Sequence, residues 1–177
     1  IGIELGQALS RLGIDVKGFT RGKGLGGLSD PEIQDYAADK FTQEFPIYFN
    51  GVEPKRINDE GKIVLKDHKG KEHFFDKVLL SVGRSSNLKN VGLENLDIKL
   101  NEKGIPDIDS NTMTVKDMPH IFIPGDSNTD RPILHEAADE GFIAGYNSVH
   151  EEECFKRRTY LGITFSDPNI ASVGKKY

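Results

Sequence analysis

The opening run IGIELGQALSRLG, at residues 1–13, restricts the fold more than any other stretch of the chain. Its apolar residues recur at helical spacing, and Gly13 is a typical helix stop. Residues 14–19 then have the apolar and aromatic character of a short strand. A helix that leads directly into a strand is the repeating unit of α/β proteins, so we predict an α/β fold.

Residues 22–45 predict a loop and a second helix. The glycine-rich run GKGLGG, at 22–27, lacks the Gly-Lys-Ser/Thr ending of a phosphate-binding loop, which favours a surface turn. In the following SDPE, Ser29 precedes Glu32 by three residues and Pro31 takes an early helical position, as at a capped helix start. A helix that packs on a sheet should follow and end near Phe45. Its predicted apolar face is Ile33, Tyr36, Ala37, Lys40 and Phe41.

Residues 47–82 change to β-type runs. Short runs at 47–49, 55–57, 62–65 and 73–75 alternate with turn signals at 58–61 and 67–70, which predicts antiparallel hairpins. The continuous apolar run at 77–82 stops at Gly83. It predicts a buried parallel strand whose carboxyl end opens on a crevice.

The second half predicts a loop region, a strand, a helix and a final strand. Residues 85–120 are polar and rich in loop formers, and an apolar strand at 120–124 ends at Gly125-Asp126. Helical spacing returns at 131–149, and residues 161–165 again resemble a strand.

Charge and cysteine content exclude several function classes. The chain has 23 basic and 28 acidic residues, and the scattered basic residues argue against a nucleic-acid surface. No apolar run approaches the roughly 20 residues of a membrane span. Cys154 is the only cysteine, so neither an internal disulfide nor a multi-cysteine metal site can form. We predict no metal and a cytoplasmic location.

Three glycine sites open a helix or follow a predicted strand: Gly2, Gly83-Arg84 and Gly125-Asp126. A carboxylate after a strand and before a helix can accept a hydrogen bond from a ribose or ribitol hydroxyl, while the helix amino end offers N–H groups. Asp126 is therefore a candidate ligand-binding residue, with turn capping as the alternative.

Together these motifs resemble the FAD-dependent pyridine nucleotide-disulfide oxidoreductases of class I, most closely the branch of dihydrolipoamide dehydrogenase. IGIELGQALSRLG resembles the latter part of the family's nicotinamide-nucleotide fingerprint. Gly2 then matches the third glycine of GxGxxG, and Glu4 matches the glutamate near the nicotinamide and flavin. VLLSVGRSSN, at 78–87, resembles the stretch that closes the nucleotide-binding domain. HIFIPGDSN, at 120–128, resembles the second FAD-binding motif, with Asp126 at the position that holds the ribitol chain.

Two later stretches extend the resemblance. ILHEAADEG, at 133–141, resembles the helix whose amino end faces the flavin pyrimidine, and TFSDPNIASVG, at 164–174, resembles the entry into the interface domain. Two residues depart from the family's pattern. Ile123, two residues before Gly125, and Leu134, in the flavin-facing helix, are bulkier than the small residues usual at those positions. The resemblance implies Glu4 as a catalytic residue. It implies as cofactor-binding residues Gly2, Thr20, Arg21, Lys23, Gly83, Arg84, Gly125, Asp126, Leu134, His135 and Ala137.

The same resemblance implies three parts of a larger architecture. Residues 1–86 would form a Rossmann-like NAD(P)-binding domain without its first strand, and 87–150 the second segment of an FAD-binding domain. Residues 151–177 would form a linker and the start of an interface, or dimerisation, domain. Because Ile1 falls inside the fingerprint, we expect a fragment that is inactive by itself.

The implied cofactors are FAD and either NAD or NADP. NAD-dependent members of this fold carry an acid at the end of the strand after the first helix, and this chain has Thr20-Arg21-Gly22-Lys23 instead. The two cations favour NADP, whereas the resemblance to dihydrolipoamide dehydrogenase favours NAD. The choice stays open at this point.

The implied reaction passes a hydride from the nicotinamide to FAD and on to a cysteine pair, with a His-Glu pair from the partner subunit of a homodimer. The disulfide or lipoyl substrate is implied by the resemblance alone. His135 matches the flavin-facing helix, which favours packing or capping over a catalytic base. The alternatives are a family member without a redox disulfide, such as a transhydrogenase or NAD(P)H oxidase, and a non-catalytic piece that binds a nucleotide or a partner.

Overall fold

The computed structural model describes residues 1–150 and 154–175, with the side chains of residues 55 and 56 outside the description. The chain divides into two compact units. The first contains Ile1–Val82 and the segment from Tyr160 onward, and the second is Gly83–Thr159. Each unit is described by itself below.

The first unit begins with the predicted helix and strand. Helix α1 is Gly2–Arg11, and Gly13 after it has φ +87°, a conformation that favours glycine. Strand β1 is only Gly18–Thr20, so the prediction of a strand from residue 14 was too long. Strand β2, Ile47–Phe49, pairs with β1 in parallel. The prediction that it belongs to an antiparallel hairpin was therefore wrong, because its partner lies before α2 in the chain.

Helix α2, Pro31–Thr42, lies between these two strands in the sequence. Its cap is Asp30, whose Oδ1 accepts hydrogen bonds from the N–H groups of Glu32 at 2.9 Å and Ile33 at 3.2 Å. The predicted Ser29 cap was wrong by one residue, because the carboxylate directly before Pro31 takes that position. The buried face is Ala37, Ala38 and Phe41, while the predicted face members Ile33 and Tyr36 are exposed.

Three antiparallel strands complete the central part of this unit: β3 Val52–Ile57, β4 Ile63–Asp67 and β5 Glu72–Phe75. Hydrogen bonds close the turns at 58–61 and 67–70, which confirms the predicted hairpins there. Strand β4 lies in the middle and has the most buried side chains of the three, including Val64.

The predicted buried strand at 77–82 was wrong. This run has no strand pairing within the described chain, and four of its apolar side chains are 38% to 88% exposed: Val78, Leu79, Leu80 and Val82. A buried parallel strand needs a neighbouring strand for its backbone hydrogen bonds. In the described residues β1 pairs only with β2, so no such neighbour is present.

The last hairpin, β8 Leu161–Thr164 with β9 Ile170–Val173, packs in the first unit. The predicted strand at 161–165 is confirmed to within one residue. Ile170 joins Leu25, Ala37 and Phe41 in one buried hydrophobic cluster. This cluster explains how α2 is held in the unit.

The second unit contains strands β6 Thr114–Val115 and β7 Met118–Phe122 and helix α3 Leu134–Asn147. Strand β7 pairs with β6 in antiparallel orientation, so the strand before Gly125 does not end as a parallel strand here. Leu93, Val115 and Ile123 form the buried cluster of this unit. The helix predicted at 131–149 is confirmed with a later start, after Pro132 and Ile133.

Candidate functional site

The start of α1 brings two candidate residues of the first unit into defined positions. A Cβ atom added to Gly2 would lie 3.2 Å from the Cβ of Ser81, so the absence of a side chain lets the helix approach the segment at 77–82 closely. Close packing of the helix is the role that the third fingerprint glycine has in dinucleotide-binding folds. The position of Gly2 therefore fits the predicted motif.

Glu4 lies in the first turn of α1 and contacts the segment after β8. Its Oε1 accepts a hydrogen bond from the backbone N–H of Phe165 at 2.8 Å. A hydrogen bond that a carboxylate accepts favours its charged form. The half-buried side chain is therefore an ionised carboxylate at neutral pH.

Gln7, which sequence reasoning missed, joins α1 to the segment between β8 and β9. Its side chain is buried, and its Nε2 donates to the carbonyl of Asp167 at 2.7 Å and to Glu44 at 2.8 Å. Its Oε1 accepts from the N–H of Asp167 at 2.8 Å. Both the nitrogen and the oxygen of the glutamine amide thus form hydrogen bonds, and the two residues Gln7 and Asp167 are 160 positions apart in the sequence.

The two cations in the loop after β1 that were predicted to contact a nucleotide, Arg21 and Lys23, have different surroundings. Lys23 pairs with Asp35 of α2 at 2.6 Å, and this hydrogen bond raises the pKa of the lysine. Arg21 is exposed and, within residues 1–150 and 154–175, has no side-chain partner. Thr20 donates its hydroxyl hydrogen to the carbonyl of Gly22 at 3.1 Å. Of the two cations, Arg21 is therefore the one that a ligand could contact without breaking an ion pair.

In the second unit, the turn Gly125–Asn128 follows β7 and precedes α3. Gly125 has φ +74°, and a Cβ added there would lie 3.4 Å from the Cβ of Ala137. The left-handed backbone at this glycine turns the chain back toward α3. The turn therefore places Asp126 near the amino end of that helix.

Arg84 and Asp126, 42 residues apart, form an ion pair at 2.5 Å between Nη1 and Oδ2. Arg84 also donates to the carbonyl of Pro132 at 2.9 Å. The structure thus brings together two stretches that the motif analysis singled out, 78–87 and 120–128, and the residue directly before a third. Gly83, directly before Arg84, is exposed and has φ +97°, a conformation rarely adopted by other residues.

The amino end of α3 is exposed and has no side-chain cap at Ile133. Leu134 is 87% exposed, His135 is also exposed, and Ala137 is half-buried against Gly125. The first backbone N–H groups of a helix have no partner within the helix. These N–H groups, with the positive end of the helix dipole, can hold an electron-rich atom of a ligand.

Sequence reasoning also missed the buried support of this turn. Glu140 of α3 is 0% exposed, and its Oε2 accepts hydrogen bonds from the N–H of Gly125 and the side chain of Asn128, each at 2.7 Å. Its Oε1 contacts the guanidinium of Arg157. An acidic residue on the buried face of a helix was the available signal, but the partners of Glu140 are 12 to 17 residues away.

Two further features concern metal ligation and membrane insertion. Across residues 1–150 and 154–175, no cluster of three or more His, Cys, Asp or Glu side chains could hold a metal ion. No helix within these ranges has the length and apolar character required to span a bilayer.

Comparison with known proteins connects these features to one group of enzymes. A family model described as pyridine nucleotide-disulphide oxidoreductase matches residues 1–141. A dihydrolipoyl dehydrogenase of Chlamydia muridarum is 28% identical over 174 residues, which cover 98% of this chain and 37% of that protein. A mercuric reductase of Staphylococcus aureus is 28% identical over 179 residues, which cover 98% of this chain and 32% of that protein.

Solved structures give the same result at the level of the fold. LpdA from Mycobacterium tuberculosis matches with a TM-score of 0.79 at 20% identity, covering 98% of this chain and 38% of that one. The HOCl-induced flavoprotein disulfide reductase RclA from Escherichia coli matches with a TM-score of 0.79 at 19% identity, covering 98% and 40%. These matches confirm the predicted α/β fold class. The chain spans well under half the length of these relatives.

Proposed function

Because this chain belongs to the pyridine nucleotide-disulphide oxidoreductase family, we propose that it supplies nucleotide-binding and flavin-binding segments of a flavoprotein that transfers a hydride from NAD(P)H through FAD to a disulfide. The observation that carries the proposal is the turn Gly125–Asn128, which presents Asp126 next to the uncapped amino end of α3. A hydroxyl-binding carboxylate and free helix N–H groups are the donor and acceptor set that a ribityl chain and a flavin ring require.

The residues of the second unit fit FAD in three respects. The partly exposed Asp126 carboxylate pairs with Arg84 through Oδ2, and a carboxylate has further lone pairs with which to accept a hydrogen bond from a ribityl hydroxyl. The N–H groups of Leu134 and His135 can donate to the flavin pyrimidine. Ile123, bulkier than expected, is buried in the cluster with Leu93 and Val115, so its size is accommodated in the core.

FAD, when bound, supplies the two-electron chemistry that connects a nicotinamide to a disulfide. The chain's own residues bind and orient the cofactors. In the first unit, Gly2 allows the close packing that a dinucleotide fold needs, and Glu4 keeps a negative charge at the start of α1. We propose that Glu4 lies near the nicotinamide, where an ionised carboxylate can orient a positively polarised ring.

For the nicotinamide cofactor, we favour NADP over NAD. No acid follows β1 that could accept the ribose hydroxyls, and Arg21 is the uncommitted cation there. Thr20 completes the proposed nucleotide contacts of this loop, while Lys23 is less available because of Asp35. Gly83 stays a proposed cofactor-binding residue within the second unit.

The proposed domain organisation keeps the boundaries implied by the resemblance: 1–86 for the NAD(P)-binding domain, 87–150 for the second FAD-binding segment and 151–177 for a linker and the start of the interface domain. The change of compact unit between Val82 and Gly83 supports a boundary in this region. Residues 151–153 and 176–177 lie outside the described residues.

The partners and location remain part of the same proposal. Cys154 is the only cysteine in the 177 residues and is exposed, so a redox cysteine pair would have to be supplied by another part of the polypeptide. We propose a cytoplasmic homodimer in which a His-Glu pair of the second subunit assists protonation of the disulfide. Its substrate would be a lipoyl group or another disulfide.

Anaerobic titration of the intact protein with NADH and, separately, with NADPH tests the proposal. We expect bound flavin, bleaching of the flavin absorbance on addition of reductant, and a long-wavelength band from a thiolate beside the flavin. Flavin bleaching without that band would indicate a transhydrogenase or oxidase. Absence of bound flavin would refute the proposed function and favour a non-catalytic nucleotide-binding piece.

A further inference from the structure

Glu140 is the most buried carboxylate of the described chain, and every contact it makes is to the turn before α3 or to one arginine. Its side chain is 0% exposed, as is typical only of a carboxylate with compensating partners. Oε2 accepts from the backbone N–H of Gly125 and from the amide of Asn128, both at 2.7 Å. Glu140 therefore binds the first and the last residue of the turn Gly125–Asn128 through one oxygen atom.

Arg157 makes the burial of this charge tolerable. Its side chain is 3% exposed, and its guanidinium contacts both Glu140 and Asp130, which follows the turn. The backbone N–H of Arg157 donates to the carbonyl of Asn111 at 3.1 Å, which anchors the arginine from the opposite side. Removing the arginine would leave the Glu140 carboxylate buried without a charged partner.

The position of Asp126 depends on this support. Asp126 lies between the two residues that Glu140 holds, and the left-handed backbone at Gly125 is a conformation that a free glycine leaves easily. A hydrogen bond to the N–H of Gly125 restricts that freedom. The backbone that carries Asp126 is therefore held on both sides by a carboxylate 14 residues later in the chain.

We propose that Glu140 is a positioning residue for flavin binding: by holding Gly125 and Asn128 it preorganises the turn that presents Asp126 to the ribityl chain. This inference rests on the proposed function. It goes beyond it because Glu140 touches no cofactor and acts through the turn. A cofactor site whose geometry exists before binding spends less binding free energy on ordering the chain.

Glu136 provides a matched control. It lies one turn earlier on α3, is also buried, and pairs with Arg131 at 3.0 Å while its Oε2 lies 3.9 Å from Nε of Arg157. It has no hydrogen bond to the turn among the described residues. Glu136→Gln therefore removes a buried negative charge from the same arginine and leaves the turn's hydrogen bonds in place.

The experiment compares Glu140→Gln with Glu136→Gln in the intact protein through two measurements. The first is hydrogen–deuterium exchange, followed by mass spectrometry over the peptide that contains Gly125, in the apoprotein. The second is the dissociation constant of FAD on reconstitution of that apoprotein. For Glu140→Gln we expect exchange at least about tenfold faster and FAD binding at least about tenfold weaker, the loss of a charged hydrogen bond. For Glu136→Gln we expect both within about twofold of the wild type.

Each outcome decides the proposal. Unchanged exchange in Glu140→Gln, or faster exchange with unchanged FAD affinity, would overturn it, as would equal loss of affinity in both variants. If Glu140→Gln does not fold, Asn128→Ser removes one of the two bonds to Glu140, and unchanged FAD binding in that variant would overturn the proposal. Failure of the wild type to bind FAD would instead refute the proposed function, and the exchange measurement would still report whether Glu140 holds the turn.

Discussion

Replacement of Gly125 by alanine is the most direct perturbation of the proposed flavin-binding turn. Gly125 has φ +74°, where a residue with a Cβ atom costs about 1–2 kcal/mol relative to glycine. The added Cβ itself would lie 3.4 Å from the Cβ of Ala137, an ordinary contact, so no steric clash adds to this cost. The predicted loss is therefore conformational and confined to the turn.

This cost converts into a defined loss of FAD affinity. A penalty of about 1–2 kcal/mol lowers the ratio of native to non-native turn by about 5- to 30-fold. If only the native turn binds the cofactor, the dissociation constant of FAD rises by up to the same factor, which is reached when the turn is ordered mainly by FAD binding. We expect this increase when apoprotein of Gly125→Ala is titrated with FAD and flavin fluorescence is recorded.

Gly104→Ala is the matched control for this prediction. Gly104 belongs to the same unit, has φ +75°, and offers an added Cβ only a contact with Lys89 at 3.9 Å. Both variants should lose about 1–2 kcal/mol of unfolding free energy, but only Gly125→Ala should weaken FAD binding. Equal FAD affinities for the wild type and Gly125→Ala would refute the reasoning, and so would an equal loss of affinity in both variants.

Three further predictions follow from other contacts. Gln7→Ala should lower the free energy of unfolding by about 2–3 kcal/mol in urea denaturation, because three hydrogen bonds of about 1 kcal/mol each are lost. Asp35→Asn should raise the ratio of kcat/KM for NADPH to that for NADH about two- to fivefold, since it releases Lys23 from a surface ion pair. The hydrogen bond from His73 lowers the pKa of Asp67 below its ordinary value of 3.8. The ionised carboxylate therefore stabilises the folded state above that pH, and this stabilisation is lost as the pH falls further. The difference in unfolding free energy between the wild type and Asp67→Asn should accordingly shrink below about pH 4.

These three predictions have separate controls and failing outcomes. Ser10→Ala removes one exposed hydrogen bond of 3.2 Å, and a loss equal to that of Gln7→Ala would contradict the importance of the buried amide. Asp59→Asn removes a carboxylate from the turn at 58–61, and an equal change in cofactor preference would indicate a general charge effect. A pH-independent difference for Asp67→Asn from pH 6 to about pH 2 would contradict the lowered pKa.

Local patterns predicted the helices and the turns well. The spacing of apolar residues located α1 and α3, and Pro31 with its acidic neighbours located the start of α2. Hydrogen bonds within a helix connect residues close in sequence, so their signals are local. The cap residue of α2 was nevertheless one position off, because Ser29 and Asp30 are both good caps.

Strand pairing was predicted less well. The run at 77–82 has the composition of a buried strand, but its apolar side chains are exposed within the described chain. Strand β2 was expected in a hairpin and pairs in parallel with β1. Composition indicates that a segment can form a strand, whereas the strand with which it pairs depends on residues far away in the sequence.

The candidate site also contains residues that a local motif identifies and residues that only distant contacts identify. The motif at Gly125-Asp126 and the opening run with Gly2 and Glu4 could be identified from consecutive residues, and the family match confirms the resemblance that they carry. The residues that support them, Gln7 and Glu140, could not be identified.

The sequence by itself determined the α/β class and the family, and it predicted the residues that face a cofactor in the proposed function, because each rests on a short run of consecutive residues. Only the tertiary structure decided that Lys23 is paired with Asp35, that Arg84 pairs with Asp126, and that Glu140 holds the turn. Ion pairs and buried hydrogen bonds depend on distance in space. Their partners here are separated by 12 to 42 residues in the chain, so no local pattern could specify them.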